Sequence, residues 1–335
     1  MTLPTLDYYR PKTINEGLTL LKEPVGKARP LAGGTDLLNN MKVGLNPAEI
    51  LVDLTGIEAL SKIACSVNEQ IIVGGAVTIW DLIHQPEVKE SLTALYQAGN
   101  GVGAVQHQQM GTLGGNLCQD TRCWFYNQTR HWRRAHPLCY KTGGDQCLVM
   151  KKSERCHAAY CSDLAPALMA YGATIKLSSL DSERIILLAE FYTGDGKTPT
   201  NIQPGEIISE ITIPQSAWKT KSAYLKLRSR KSIDFPQAGI ALVVSEEGGL
   251  INDVSLALTA LGSGPVLLKG ITEIFRGLKT EDLDEEKISV LAQDCAAIAG
   301  KNILPVPNMS YRPAYRRRMV GVMIEETLQQ IFVKQ

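Results

Sequence analysis

The apolar positions of this chain change period several times, and each change marks an element. Thr13-Ile-Asn-Glu16 has capping-box spacing and is followed by Leu18, Leu20 and Leu21, which predicts a first helix. A short strand, Ala28 to Ala32, then runs into Gly33-Gly34-Thr35-Asp36 and a second helix through Met41. Glu49 to Leu54 and Ile71-Ile72-Val73 read as strands. After the second of these come Gly74-Gly75 and Thr78-Ile-Trp-Asp81, the aspartate form of a capping box, and residues 88–100 read as helical. From Cys118 to Cys161 no helical or strand period is sustained, as suits a segment organised by ligands rather than by a core. Order returns at Ser162-Asp163-Leu164-Ala165-Pro166-Ala167-Leu168, which predicts the opening of an amphipathic helix. Strands are expected at Ala173–Ser178 and Ile207–Ile213.

Pro214 and the polar run to Thr220 mark a boundary. Beyond it, strands are predicted at Tyr224–Ser229, Ala238–Ser245 and Val254–Leu261, then helices over roughly 282–299 and 313–331. Strands followed by helices indicate an α+β fold class with a separate C-terminal unit. No internal repeat or low-complexity tract is present. The 335 residues are 44% hydrophobic and 21% charged, with a net charge of +1, ordinary for a soluble globular protein. Nothing in that balance points to nucleic acid. The N-terminus has no basic region followed by an apolar run, and no apolar stretch approaches the ~18 residues of a membrane span, so a reducing cytoplasmic setting is expected. Stable disulfides are disfavoured there, and clustered cysteines more often hold metal.

The cysteines are clustered: six of the eight lie between positions 118 and 161. The four interior ones follow the pattern Cys123-x15-Cys139-x7-Cys147-x8-Cys156. Compact zinc modules use Cys-x2–4-Cys pairs, which only Cys118/Cys123 and Cys156/Cys161 approach. Long intervals suit a large cluster met from several directions, and four thiolates are the usual iron–sulfur ligation. Spacing alone leaves a cluster, zinc and free thiols open. Cys65 and Cys295 read as small buried hydrophobes. His131, His136 and His157 in the same stretch read as packing residues, and Trp124, Phe125, Tyr126 and Trp132 as a small apolar shield. Residues 119–157 carry eight basic against three acidic side chains, a net +5. Part of that charge would offset a cluster; the rest would either steer an acidic partner or form a solvated face.

Two double-glycine turns, Ala32-Gly33-Gly34-Thr35-Asp36 and Thr112-Leu113-Gly114-Gly115-Asn116, allow close backbone approach and free N–H groups for phosphate. Neither is Gly-x-Gly-x-x-Gly, so a Rossmann site is not indicated. With Ser162-Asp163-Leu164-Ala165-Pro166, Asp234-Phe235-Pro236 and the terminal Tyr315-Arg316-Arg317-Arg318, they give the whole chain a resemblance to the FAD-binding subunits of the xanthine dehydrogenase (molybdenum hydroxylase) family. In most members the Gly-Gly-Asn turn runs almost directly into the Ser-Asp-Leu helix; here residues 118–161 intervene. That insert, with Asn116-Leu-Cys-Gln-Asp-Thr-Arg-Cys123 and Lys152-Ser-Glu-Arg-Cys156, resembles the one in 4-hydroxybenzoyl-CoA reductase β subunits, which binds a 4Fe-4S cluster.

The resemblance implies a two-part, PCMH-like FAD-binding domain over 1–218, split at about residue 54, with the insert inside its larger part. It also implies a smaller α+β domain of CO dehydrogenase flavoprotein type over 219–335. Leu31, Ala32, Gly33, Gly34, Thr35, Asp36, Leu37 and Leu38 would wrap the FAD pyrophosphate. Thr112, Gly114, Gly115 and Asn116 would contact phosphates and ribitol, Asp163 the adenosine side, and Lys226 and Gln237 the flavin region. Read without the family, Asp163 is simply a carboxylate at a helix N-terminus. Cys123, Cys139, Cys147 and Cys156 would hold the cluster, leaving Cys118 and Cys161 over. No nucleophile–base pair is evident. The chain therefore reads as an electron-transfer subunit, and the resemblance implies a large molybdenum-cofactor subunit and a small subunit bearing two 2Fe-2S clusters as partners in a dimer of heterotrimers. A ferredoxin-like donor would feed the 4Fe-4S cluster, then FAD, for reductive dehydroxylation of 4-hydroxybenzoyl-CoA to benzoyl-CoA. The alternatives are the flavin subunit of a molybdenum aldehyde oxidoreductase, and a flavoprotein with a zinc-stabilised docking insert.

Overall fold

The computed structural model describes residues 2–22, 26–65 and 69–333. The chain ends of the ranges 1–218 and 219–335 thus include Met1 and positions 334–335, which lie outside the described residues. Three sheets organise the rest. The first is parallel: Ile50–Asp53 runs between Asp7–Tyr9 and Ala28–Leu31. Helices Ile14–Leu21 and Leu37–Lys42 lie between successive strands of this sheet in the chain, since parallel neighbours need a crossover connection. Thr13 and Glu16 form the reciprocal capping box at the first of these helices.

The second sheet is antiparallel, in the order Ile63–Ala64, Ile71–Gly74, Ile207–Ile213, Thr174–Ser178, Glu183–Leu187. Its core includes the helices Ile79–Ile83, Pro86–Ser91, Thr93–Asn100, Leu113–Leu117 and Leu164–Ala170. Residues 88–100 are two helices rather than one, broken at the buried Leu92. At Ile79–Ile83 the Thr78 hydroxyl caps the Asp81 N–H (3.0 Å), but the Asp81 carboxylate accepts from that hydroxyl, not from a backbone N–H. Leu164–Ala170 is buried on every side instead of amphipathic. It lies between this core and the third sheet, so no face is left to water.

That third sheet is a meander of Thr220–Leu227, Ala238–Glu247, Leu250–Thr259 and Val266–Leu267. Successive side chains alternate faces, and both faces are covered. Ala241, Val243 and Ala257 join the core around Leu164–Ala170, while Ile240, Leu242, Leu256 and Leu258 meet the helices Glu285–Asn302 and Pro313–Phe332. Arg316 on the last helix is 1% exposed. Its guanidinium donates to the carbonyls of Gln237 (2.8 Å), Val306 (3.1 Å) and Ala260. This ties the final helix to the strand ends nearest the cysteine-rich segment.

Candidate functional site: a glycine-walled cavity beside a cysteine cluster

Ala32–Asp36 leave the C-terminal end of Ala28–Leu31, the edge of a parallel sheet where ligands commonly bind. There they help line a cavity of about 660 Å³, within the usual range for cofactor pockets. A Cβ on Gly33 would lie 1.8 Å from the Met110 carbonyl oxygen, so only glycine lets this turn pack against the segment before Thr112. Gly34 has a φ of +70°. The second turn begins the helix Leu113–Leu117, with the Thr112 hydroxyl accepting from Gly115 N (3.1 Å). Asn116 Oδ1 accepts from Ser162 Oγ (2.5 Å), whose oxygen in turn caps Ala165 N (3.0 Å).

Ala32, Gly33, Gly34, Thr35, Asp36, Leu37, Thr112, Gly114, Gly115, Asn116 and Asp163 all line the cavity. Leu31 and Leu38 do not; they pack in a small apolar cluster with Met41 and Leu51. The Asp36 carboxylate pairs with Arg122 and accepts from Asp120 N (2.8 Å) and Asn40 Nδ2 (3.0 Å). It pins the start of the cysteine-rich segment to the first turn. Asp163 is buried and caps nothing. Its oxygens accept from Tyr224 Oη (2.6 Å) and Lys226 Nζ (2.9 Å), and Lys226 also donates to Gly101 O (2.7 Å). Burial pushes the Asp163 carboxyl above its usual range, against the pull of Lys226 and Tyr224. Lys226 thus braces the wall from behind. Gln237 lies off the wall altogether: its Oε1 accepts from Tyr311 N (3.1 Å) beside Arg316, in the joint of the last helix.

Sequence reasoning overlooked part of the wall. Gly103, His107, Arg122 and Ile233–Phe235 all face the cavity, and the Arg122 guanidinium lies 4.5 Å from the Phe235 ring centre. The alternation of polar and apolar residues gives no sign of these, since the segments come together only in the fold.

The cysteine-rich segment holds two short helical turns, Arg130–Arg134 and Tyr140–Thr142. All eight cysteines are free thiols. Cys139, Cys147 and Cys156 are buried and Cys123 is half-buried. Cys123 lies within electrostatic reach of Cys139 and Cys147, and Cys156 within reach of Cys147 and Cys123, which links all four. Burial pushes the thiols of Cys123 up to about 11 and Cys156 up to about 12. Donors point at two of the sulfurs: Ala158 N to Cys156 Sγ (3.5 Å) and Thr142 Oγ1 to Cys139 Sγ (3.6 Å). Among the described residues no three Cys, His, Asp or Glu side chains gather as one metal ion would require; zinc draws its sulfurs to within about 4 Å of each other. Lys141 is nearly buried, pairs with Asp120, sits 4.1 Å over the Tyr126 ring and acts on Cys156. Cys118 and Cys161 line the cavity instead. Cys118 is the exposed one of the two.

Residues 4–216 match the model of the FAD-binding domain in molybdopterin dehydrogenases. The FAD-binding subunit of an Escherichia coli aldehyde oxidoreductase is 32% identical over 238 residues, covering 68% of this chain and 74% of the relative. The carbon monoxide dehydrogenase medium chain of Afipia carboxidovorans is 27% identical over 326 residues, 97% and 96% of the two chains. A crystal structure of a cyanide-inactivated Cu,Mo CO dehydrogenase contains a chain that superimposes with a TM-score of 0.79 at 25% identity, covering both chains completely. The fold is that of a flavoprotein subunit. The chain belongs to the FAD-binding medium subunits of the molybdenum hydroxylase family.

Gly33→Ala is predicted to weaken FAD binding by about tenfold to a hundredfold, the equivalent of about 1–3 kcal/mol of overpacking. Flavin absorbance per folded chain measures it, and a full complement of flavin would show that the turn yields without cost.

Proposed function

We propose that this subunit carries FAD and a 4Fe-4S cluster and passes electrons between an external redox partner and a molybdenum-containing subunit. When bound, the two groups would supply one- and two-electron chemistry, and the polypeptide positions and tunes them. Backbone groups of Ala32–Leu37 and of Thr112, Gly114, Gly115 and Asn116 would hold the FAD phosphates and ribitol, with Asp163 toward the adenosine and Lys226 fixing Asp163. The observation that carries the cluster reading is the donor set itself. Four free thiols of one insert, three of them buried, with N–H and O–H donors directed at two of the sulfurs, support it. Cys123, Cys139, Cys147 and Cys156 would be the ligands. Arg122 and Asp120 join that segment to the FAD turn through Asp36, so the two sites share a wall.

In this reading residues 1–218 form the FAD-binding domain, with a subdomain boundary near 54 and the insert at about 118–161, and 219–335 form the C-terminal domain. Its partners are a large molybdenum subunit and a small subunit with two 2Fe-2S clusters, in a cytoplasmic heterohexamer. No described helix is long and apolar enough to cross a membrane. The insert's Arg130, Arg134, Lys151, Lys152 and Arg155 are exposed, as is Trp124 beside Cys123, which supports contact with an acidic ferredoxin-like donor. Reductive dehydroxylation of 4-hydroxybenzoyl-CoA is the activity supported by the insert's sequence. Aldehyde oxidation, with electrons flowing outward, is supported at least as well by the 32% identity to the aldehyde oxidoreductase subunit.

The test is the iron, acid-labile sulfide, zinc and flavin content of anaerobically purified protein. About four irons, four sulfides and one FAD per chain support the proposal. One zinc without sulfide would replace it with a structural insert on a flavoprotein.

A further inference from the structure

The cysteine-rich segment does not return to the core unaided: its last stretch, Cys156 to Tyr160, is docked on the C-terminal part of the chain. Tyr160 N donates to Gly262 O (3.0 Å), Ala260 N to Tyr160 O (3.0 Å), and Ser263 Oγ to Cys156 O (3.1 Å). The carbonyl of Cys156 also accepts from Gly196 N (3.0 Å). Between the last two helices stands Asn308, 1% exposed, whose Nδ2 donates to His157 O at 2.6 Å.

That last bond acts on one peptide plane. In a trans peptide the carbonyl and the N–H point opposite ways. The plane joining His157 to Ala158 offers its oxygen to Asn308 and its N–H to Cys156 Sγ (3.5 Å). Holding the oxygen therefore aims the N–H at the sulfur. The orientation of the Asn308 amide is fixed, because a carbonyl oxygen can only accept and the nitrogen must face it. Its Oδ1 is then left buried with no partner among the described residues. Such an orphan costs about 1–3 kcal/mol, so the nitrogen's single bond is what this side chain contributes in return.

We propose that Asn308 is a positioning residue for Cys156, turning the His157–Ala158 peptide so that its N–H faces the sulfur and raises the reduction potential of the cluster; this rests on Cys156 being a cluster ligand. Hydrogen bonds to the sulfurs help set the potential of an iron–sulfur cluster, because a donor offsets the charge that reduction adds. The test is a redox titration of the anaerobically purified protein, followed by the EPR signal of the reduced cluster, with iron and sulfide assayed alongside. Asn308→Leu keeps the branched shape and discards both the donor and the orphan. It should retain about four irons and shift the balance about tenfold toward the oxidised cluster at a fixed potential, or about 59 mV more negative for one electron. Asn308→Ala, which cannot overpack, should shift it the same way and replaces Asn308→Leu if that variant does not fold. Ser263→Ala loosens the same stretch at the Cys156 carbonyl, which keeps Gly196 N, and should leave the potential at the wild-type value. An unchanged potential in the Asn308 variants at full iron would overturn the inference and leave the cluster reading intact. An equal shift in Ser263→Ala would overturn it too, since general loosening would then be the cause. Loss of iron from both Asn308 variants would make Asn308 a clamp on the insert instead of a tuning residue. Wild type without iron and sulfide would remove the cluster reading and this inference with it.

Discussion

Replacing Lys226 by methionine is expected to destabilise the protein by about 3–5 kcal/mol, the usual consequence of removing one partner of a buried ion pair. Both side chains are only 6% exposed, and their separation is 2.9 Å. Methionine fills the space of the lysine stem but leaves the Asp163 carboxylate with Tyr224 alone and the Gly101 carbonyl without its donor. Burial already pushes the Asp163 carboxyl upward, and without the ammonium it is pushed further. A second change, Asp163→Asn in the Lys226→Met background, removes the orphaned charge and should recover part of the loss. Denaturant midpoints of wild type, the single variant and the double variant measure this. A loss below about 1 kcal/mol for Lys226→Met would mean that Asp163 is protonated in the native protein and that the pair is not ionic. The effect reaches the cofactor site, because Asp163 and the segment from Gly101 to Gly103 both belong to the region Lys226 braces.

What the sequence made legible follows from how local each signal is. The capping box at Thr13, the strand of Ile207–Ile213 and the final helix beginning at Pro313 declare themselves within a few residues, and the fold keeps them. The glycine turns were legible as turns, and the cavity runs along both. Other features depend on what packs where. Leu164–Ala170 looked one-sided until a second sheet covered its other face. Glu183–Leu187 escaped notice as a strand because Ile185 and Leu187 stand exposed on a sheet edge, so its apolar residues do not mark a core. Leu31 and Leu38 pack against Gly34 yet stay off the cavity wall, while Arg122 and Phe235, 113 positions apart, meet over the cavity.

Cys139→Ser is expected to abolish the iron and acid-labile sulfide of the protein while leaving FAD bound. Serine nearly matches the cysteine in size, so the buried site it leaves is not overpacked; what is lost is the soft thiolate that iron–sulfur ligation needs. Cys139 is also the member of the set whose loss should least disturb the cavity. It precedes the turn Tyr140–Thr142, donates its N–H to Thr142 Oγ1 (2.8 Å) and accepts at its sulfur from that hydroxyl (3.6 Å), whereas the wall of the cavity is held by Asp36, Asp120 and Arg122. Cys118→Ser and Cys161→Ser provide the contrast, because both sulfurs line the cavity and neither belongs to the linked set. They should keep iron at the wild-type level. Iron and sulfide assays with flavin absorbance on all three variants decide the matter. Full iron in Cys139→Ser, or its loss in Cys118→Ser or Cys161→Ser, would show that a different group of cysteines holds the metal. Loss of both iron and flavin from Cys139→Ser would mean that the insert and the FAD turn fold as one unit. The Asp36–Arg122 link would then be a structural dependence of one site on the other rather than a bridge between two independent ones.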